Sequence, residues 1–185
     1  MTLEITIHGR GGQGAQVACQ ILAEAFFRSG RWVQAFASYG GERRGAPVRA
    51  SLRVQTEPIR LRCDVERPDH AIVLDPTLLP PEPADLVRPK GLLIVNSATA
   101  PCSFMPMAGR VVTIDAADIA RRAGLGPIVA TAALGAFAGA TGLVALDALL
   151  AAIEAGSPSK PHANVAACRE AYVAVADLSE AALHG

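Results

Sequence analysis

The sequence predicts an α/β protein with a mostly parallel, partly mixed sheet and a helical last third. Three observations carry this expectation. The runs Ala71–Leu74, Leu92–Val95 and Val111–Ile114 are short and almost continuously apolar, as strands covered on both faces are. An alternating first strand, Glu4–His8, leads through a glycine-rich turn into a stretch with helical spacing. From Ala116 onward the apolar residues recur at helical intervals, punctuated by glycine and proline.

Each element has its own signal. In Glu4–His8, Ile5 and Ile7 share one face. The helix over Ala15–Ser29 places Val17, Ile21, Leu22, Ala25 and Phe26 along one stripe, and Gly30 is its expected stop. Trp32–Ala37 reads as a second strand. Val48–Val54 is the clearest strand, with apolar even positions and polar odd ones, so one of its faces is expected to be wet. The intervening Ser38–Pro47 is too short for a crossover helix, which predicts that the two flanking strands are antiparallel neighbours. Asp75, Asn96 and Asp115 follow the three apolar runs, as ligand contacts or, more simply, as turn and helix caps. Helices are expected over Ala116–Ala123, Pro127–Ala140, Leu143–Ala155 and Asn164–Leu183, with Ser157–His162 as a loop.

Composition narrows the function classes. The 185 residues are read as a single domain, 1–185, with 51% hydrophobic and 18% charged residues, which argues against disorder. Lys plus Arg and Asp plus Glu are each 17, and a balanced chain disfavours nucleic-acid coating or a polybasic membrane surface. Cys19, Cys63, Cys102 and Cys168 are scattered, so neither an iron–sulfur cluster nor a structural zinc is expected, and the thiols are read as small buried hydrophobes. Met1–Ile5 lacks a basic region leading into an apolar run, which predicts the cytoplasm. Gly126–Leu146 carries no charge, but its Ala, Gly and Thr content suits a buried helix hairpin broken near Thr141–Gly142 rather than a membrane span. Gly135-x-x-x-Gly139 would let one helix approach another closely.

Two segments point to chemistry. Gly9-Arg10-Gly11-Gly12-Gln13-Gly14 follows a strand and opens a helix, a Rossmann-like glycine turn where backbone amides and the helix dipole face an anion. A dinucleotide site also needs an acid at the end of the second strand; Gln34–Ser38 has none, and the next acid is Glu42. The second segment is Ser38-Tyr39-Gly40-Gly41-Glu42-Arg43-Arg44-Gly45, whose paired arginines suit a phosphate-bearing ligand. Both segments lie at one sheet edge, so they read as a ligand or partner surface. His8, His70, His162 and His184 lack metal spacing, and neither a nucleophile elbow nor paired catalytic carboxylates can be identified.

The stretch Ile5–Gly14, then Ser38-Tyr39-Gly40-x-Glu42-Arg43-Arg44-Gly45-x-Pro47-Val48 and Pro58-Ile59, resembles the gamma subunit of 2-oxoacid:acceptor oxidoreductases, the pyruvate:ferredoxin oxidoreductase family. Ile128–Ala130, Leu134–Ala136 and Thr141–Leu143 extend the likeness over nearly the whole chain. The resemblance implies a three-layer α/β/α sandwich without a complete catalytic site. It implies alpha, beta and delta-type partner subunits that hold thiamine pyrophosphate and iron–sulfur clusters. It also implies oxidative decarboxylation of a 2-oxoacid to an acyl-coenzyme A, with electrons passed to ferredoxin or to NAD through a flavoprotein. Pyruvate, 2-oxoglutarate, branched-chain oxoacids and phenylglyoxylate are all open as substrates. Gly9, Arg10, Gly11, Gly12, Gln13 and Gly14, with Ser38, Tyr39, Glu42, Arg43, Arg44 and Gly45, would face the partners and contact coenzyme A. The chain departs from the family pattern at Ala130–Ala133, where many relatives carry an Asn. A stand-alone nucleotide-binding dehydrogenase and a purely architectural subunit are the alternatives.

Overall fold

The computed structural model describes residues 2–39, 45–80, 86–104 and 109–181, the side chains of Tyr39 and 177–181 excepted. The strands are β1 (Leu3–Arg10), β2 (Trp32–Tyr39), β3 (Pro47–Gln55), β4 (His70–Val73), β5 (Leu92–Asn96) and β6 (Arg110–Ile114), in the order β2-β3-β1-β4-β5-β6. The β1–β4, β4–β5 and β5–β6 pairings are parallel, and β3 is antiparallel to both β1 and β2. The expected β2–β3 neighbourhood is therefore present, and only β3 runs against the rest. β4 and β5 are buried as expected, whereas β6 forms an edge and is only half-buried.

The helices are α1 (Ala15–Arg28), α2 (Ala116–Arg122), α3 (Ala130–Thr141), α4 (Leu146–Gly156) and α5 (Pro161–Ala181). All five pack into one core with Ile5, Ile7, Leu52, Ile72 and Ile94, on a single face of the sheet. The opposite face buries a smaller set, Ala71, Val73, Val87, Leu93 and Val95. Among the described residues that third layer consists of irregular chain and two 3-10 turns, Pro76–Leu78 and Pro101–Phe104. The predicted sandwich thus has helices on one side and loops on the other.

Helix boundaries moved for local reasons. α5 starts at Pro161, three residues earlier than expected, because proline's fixed φ suits a first helical position. Its expected end at Leu183 lies outside the described residues. α3 and α4 form the predicted hairpin, closed by Gly142 in the left-handed region at φ 62°. No described helix is long and apolar enough to cross a membrane. The predicted close approach is real. A Cβ at Gly135 would collide with the Cys168 carbonyl, and one at Gly139 would lie 2.6 Å from the Tyr172 carbonyl oxygen, so α5 rests against the backbone of α3.

The largest departure concerns the polar face of β3. Ser51 and Arg53 are 4% and 1% exposed, so the face predicted to be wet is sealed. The strap 56–69 covers it and is held by arginines. Arg53 Nε donates to Glu4 Oε1 at 2.9 Å, Nη1 to Gln34 Oε1 at 3.2 Å and Nη2 to the Asp64 carbonyl at 3.1 Å. Its guanidinium also lies 5.4 Å from the Phe36 ring centre. Arg49 donates to the Val65 carbonyl, and Arg88 bridges Glu4 and Asp69 at 2.6 and 2.9 Å. A buried ion pair with carbonyls on its remaining donors tolerates desolvation; half of one does not. Arg53→Ala should destabilise the chain by about 3 kcal/mol, because Glu4 keeps only the half-exposed Arg88 and the Gln34 and Asp64 acceptors lose their donor. The Glu4→Gln, Arg53→Met double variant should lose less, as read by denaturant unfolding.

The thiols divide. Cys19 and Cys168 are buried as expected, but Cys63 and Cys102 are exposed, since the irregular layer carrying them leaves them at its surface. Burial pushes the Cys19 and Cys168 thiols up to about 12. Iodoacetamide at pH 8 should modify Cys63 and Cys102 within minutes and leave Cys19 and Cys168 intact until denaturant is added, as followed by peptide mass.

Candidate functional site

The glycine turn joins β1 to α1 and is shaped by its own hydrogen bonds. Arg10 N–H donates to Gln13 Oε1 at 2.7 Å, and Gln13 N–H to the Arg10 carbonyl at 3.0 Å. Gly12 and Gly14 take φ values of 101° and 90°, where a side chain would be strained. Gly14 is the N-cap of α1; no side chain caps this end and the first turn holds no acid. The positive end of the helix dipole is therefore unopposed by carboxylates of its own helix.

The two predicted segments do meet. Gly11 N–H donates to the Ala46 carbonyl at 3.0 Å, and Arg10 Nη1 to the Gly45 carbonyl at 3.3 Å. Gly45 itself sits at φ 84°. Ser38 is exposed at the end of β2, and the Tyr39 backbone pairs with Val48. Glu42, Arg43 and Arg44 lie outside the described residues.

Arg10 does not present a free charge. Its Nε donates to Asp75 Oδ2 at 2.7 Å, and its Nη2 to Thr77 Oγ1 at 2.8 Å. Burial alone would raise the Asp75 carboxyl, but hydrogen bonds from the Thr77 hydroxyl and amide, with Arg10, hold it below the ordinary range. Asp75 also caps the turn Pro76–Leu78, Asp115 caps α2, and Asn96 bridges the Leu74 carbonyl to the Ala117 amide. All three strand-end polar residues thus serve as caps or turn bridges.

Beside the turn opens a cleft of about 330 Å³. Its floor is apolar, from Ala15, Ala18 and Ile21 of α1, Val48 of β3 and Ile128 ahead of α3. Its far wall was not anticipated in the sequence. There, Thr131 and Asn164 are 4% and 3% exposed, and the Thr131 hydroxyl is 2.9 Å from Asn164 Oδ1. Asn164 Nδ2 donates to the Ser159 and Lys160 carbonyls at 2.9 and 3.1 Å, which fixes the loop Ser157–Ser159 against the cleft. Thr131 thus supplies a polar contact within the segment Ala130–Ala133. The signal was a buried-polar one: single polar residues on otherwise apolar helix faces. The Ser157 hydroxyl on this wall is buried without a partner.

No three His, Cys, Asp or Glu side chains gather as metal ligands among the described residues. His70 accepts the Leu92 amide at Nδ1 at 3.2 Å and lies edge-on to Phe137. His162 is exposed, 3.8 Å from Glu154, and His184 is outside the described residues. His8 lies on the strap side of β1, 2.9 Å from Thr6 Oγ1. Burial, and secondarily Arg49, lower its pKa from 6.5 to about 4. Its contribution to stability is complete above about pH 6.5 and drains as the pH falls toward 4, because the unfolded chain takes the proton first. Thermal melts at pH 7 and 4.5 should show a loss of about 2 kcal/mol from this residue, abolished in His8→Gln.

The chain is thus an α/β protein with a glycine turn at an uncapped helix end, an apolar cleft beside it and an arginine of that turn paired with Asp75. Comparison with known proteins names its kind. Residues 4–174 match the family model described as pyruvate ferredoxin/flavodoxin oxidoreductase. The chain is 44% identical over 174 residues to the pyruvate synthase subunit PorC of Methanothermobacter marburgensis, covering 92% of this chain and 96% of that one. It is 41% identical over 178 residues to the pyruvate/ketoisovalerate oxidoreductases common subunit gamma of Pyrococcus furiosus, covering 92% and 95%. The crystal structure of PORC from Thermotoga maritima superposes with a TM-score of 0.80 at 37% identity, covering 93% of this chain and 96% of that one. The fold recurs, at 18% identity and a TM-score of 0.78, as 31% of the longer chain of a 2-oxoglutarate:ferredoxin oxidoreductase from Magnetococcus marinus. The chain belongs to the pyruvate ferredoxin/flavodoxin oxidoreductase family, as a gamma-type subunit of a 2-oxoacid:ferredoxin oxidoreductase.

Proposed function

We propose that this chain assembles with alpha, beta and delta-type subunits, in the cytoplasm, and contributes a coenzyme A contact rather than a catalytic group. The partners would hold thiamine pyrophosphate and iron–sulfur clusters. The complex would decarboxylate a 2-oxoacid, transfer the acyl group to coenzyme A and pass electrons to ferredoxin or an NAD-linked flavoprotein. The observation that carries this reading is the cleft. It joins a cationic helix end to an apolar floor, which suits a ligand with phosphates at one end and an extended, weakly polar arm. The arm would lie over Ala15, Ala18 and Ile128, and the phosphates over Gly11, Gly12 and Gly14. Arg43 and Arg44, which lie outside the described residues, would add positive charge to the coenzyme A contact. The relatives named above are described as acting on pyruvate or ketoisovalerate, which makes these the first oxoacids to test.

A purely architectural role is favoured by one fact, the engagement of all three Arg10 guanidinium nitrogens by Asp75, Thr77 and Gly45. One variant separates the readings. Ser159→Glu places a carboxylate at the exposed rim of the cleft. In the purified complex it should raise the KM for coenzyme A roughly fivefold, the worth of about 1 kcal/mol of repulsion, with subunit content and the KM for the oxoacid unchanged. An unchanged coenzyme A KM would favour architecture. A chain that purifies alone and colourless would sink the subunit reading.

A further inference from the structure

Among the described residues the sheet has one long unpaired edge. β2 is outermost, and its eight residues, Trp32–Tyr39, pair with β3 without interruption from Trp32–Gln55 to Tyr39–Val48. The strand contains no charge, proline or bulge, the devices that keep an edge from recruiting another strand. The opposite edge, β6, is five residues long and opens on Arg110.

Apolar side chains flank the open edge on both sides. Phe27, 61% exposed, ends α1 on the helix side. Trp32 and Leu61, 52% and 41% exposed, belong to the strap side, where the Leu61 carbonyl accepts from Gln34 of β2 at 3.0 Å. The same corner is basic. Arg31, Arg60 and Arg62 are exposed and have no ion-pair partner among the described residues; Glu57 is exposed beside them, and the other exposed acids of the strap, Asp64 and Glu66, lie further on, where its carbonyls accept from Arg53 and Arg49 of β3. In a chain with zero formal charge, this is a local excess.

We propose that β2 receives an extended, acid-bearing segment of a partner subunit as a seventh strand. Its carboxylates would meet Arg31, Arg60 and Arg62. Its alternating side chains would pack toward Phe27 on one side and toward Trp32 and Leu61 on the other. A second copy of this chain is a poorer occupant. Antiparallel self-pairing would bring the uncharged Ser38–Tyr39 end of β2 to the arginine corner, leaving its charge unanswered. The inference rests on the subunit reading above.

The test compares backbone hydrogen exchange over Trp32–Ser38 in the isolated full chain and in the assembled complex. Alternate amides should slow at least tenfold on assembly. The Arg31→Glu, Arg60→Glu, Arg62→Glu variant should bind the remaining subunits at least tenfold more weakly at low salt, with its own melting temperature unchanged. Equal exchange in both states, or undiminished binding by the variant, overturns the proposal. So does an isolated chain that is already dimeric with those amides protected. A wild-type chain that joins no other subunit instead overturns the subunit reading, and this inference with it.

Discussion

The Arg53 guanidinium holds together the half of the molecule that hydrophobic burial cannot. It sits in β3, yet its donors reach Glu4 in β1, Gln34 in β2 and the Asp64 carbonyl of the strap. Three strands and a covering segment therefore share one charged group. The helix face needs no such device, because Ile5, Ile7, Leu52, Ile72 and Ile94 meet five helices there. On the other face no described helix arrives, and the strap is largely polar. Directional bonds to its carbonyls, with Val65 buried beneath it and Asp69 tied to Glu4, fix its place. Arg49 and Arg53 project to the same side because their separation is a multiple of the strand period. That arrangement also fixes β1 and β3 side by side, which brings Gly11 to Ala46 and so assembles the glycine turn with the root of the β2–β3 loop.

Much of this was legible. The glycine turn, the antiparallel β2–β3 pair and the α3–α4 hairpin each follow from local rules about glycine, loop length and periodicity. Gly135 and Gly139 announced a close helix contact without naming its partner, since α5 lies more than twenty residues away in sequence. The alternation in β3 was read correctly as two-faced and wrongly as half-solvated. Period-two patterning distinguishes faces, but it does not say whether a polar face meets water or a polar strap. The same ambiguity misplaced Cys63 and Cys102, which were assigned to a core that their layer does not have. β6 looked central because its composition matches β4 and β5; edge position is a property of the whole sheet.

The site shows the same division. Its turn is a sequence motif, while its cleft is a tertiary product of α1, β3, the start of α3 and the loop before α5. Thr131 and Asn164 build the far wall through a buried pair across 33 positions. The electrostatics also depend on distance along the chain. Arg10 reads as a cation in the motif, yet Asp75, 65 residues on, neutralises it. What remains positive among the described parts of the turn is the helix end itself.

The order of elements along the chain has a consequence for how the molecule is made. All six described strands lie before residue 115, and four of the five described α-helices follow them. While the ribosome is still adding α3–α5, the finished strands have only α1 and the short α2 to cover Ile72, Leu74 and Ile94. The nascent protein must carry a bare apolar sheet until its final third emerges. Apolar surface left open in this way is what makes a folding intermediate prone to aggregate.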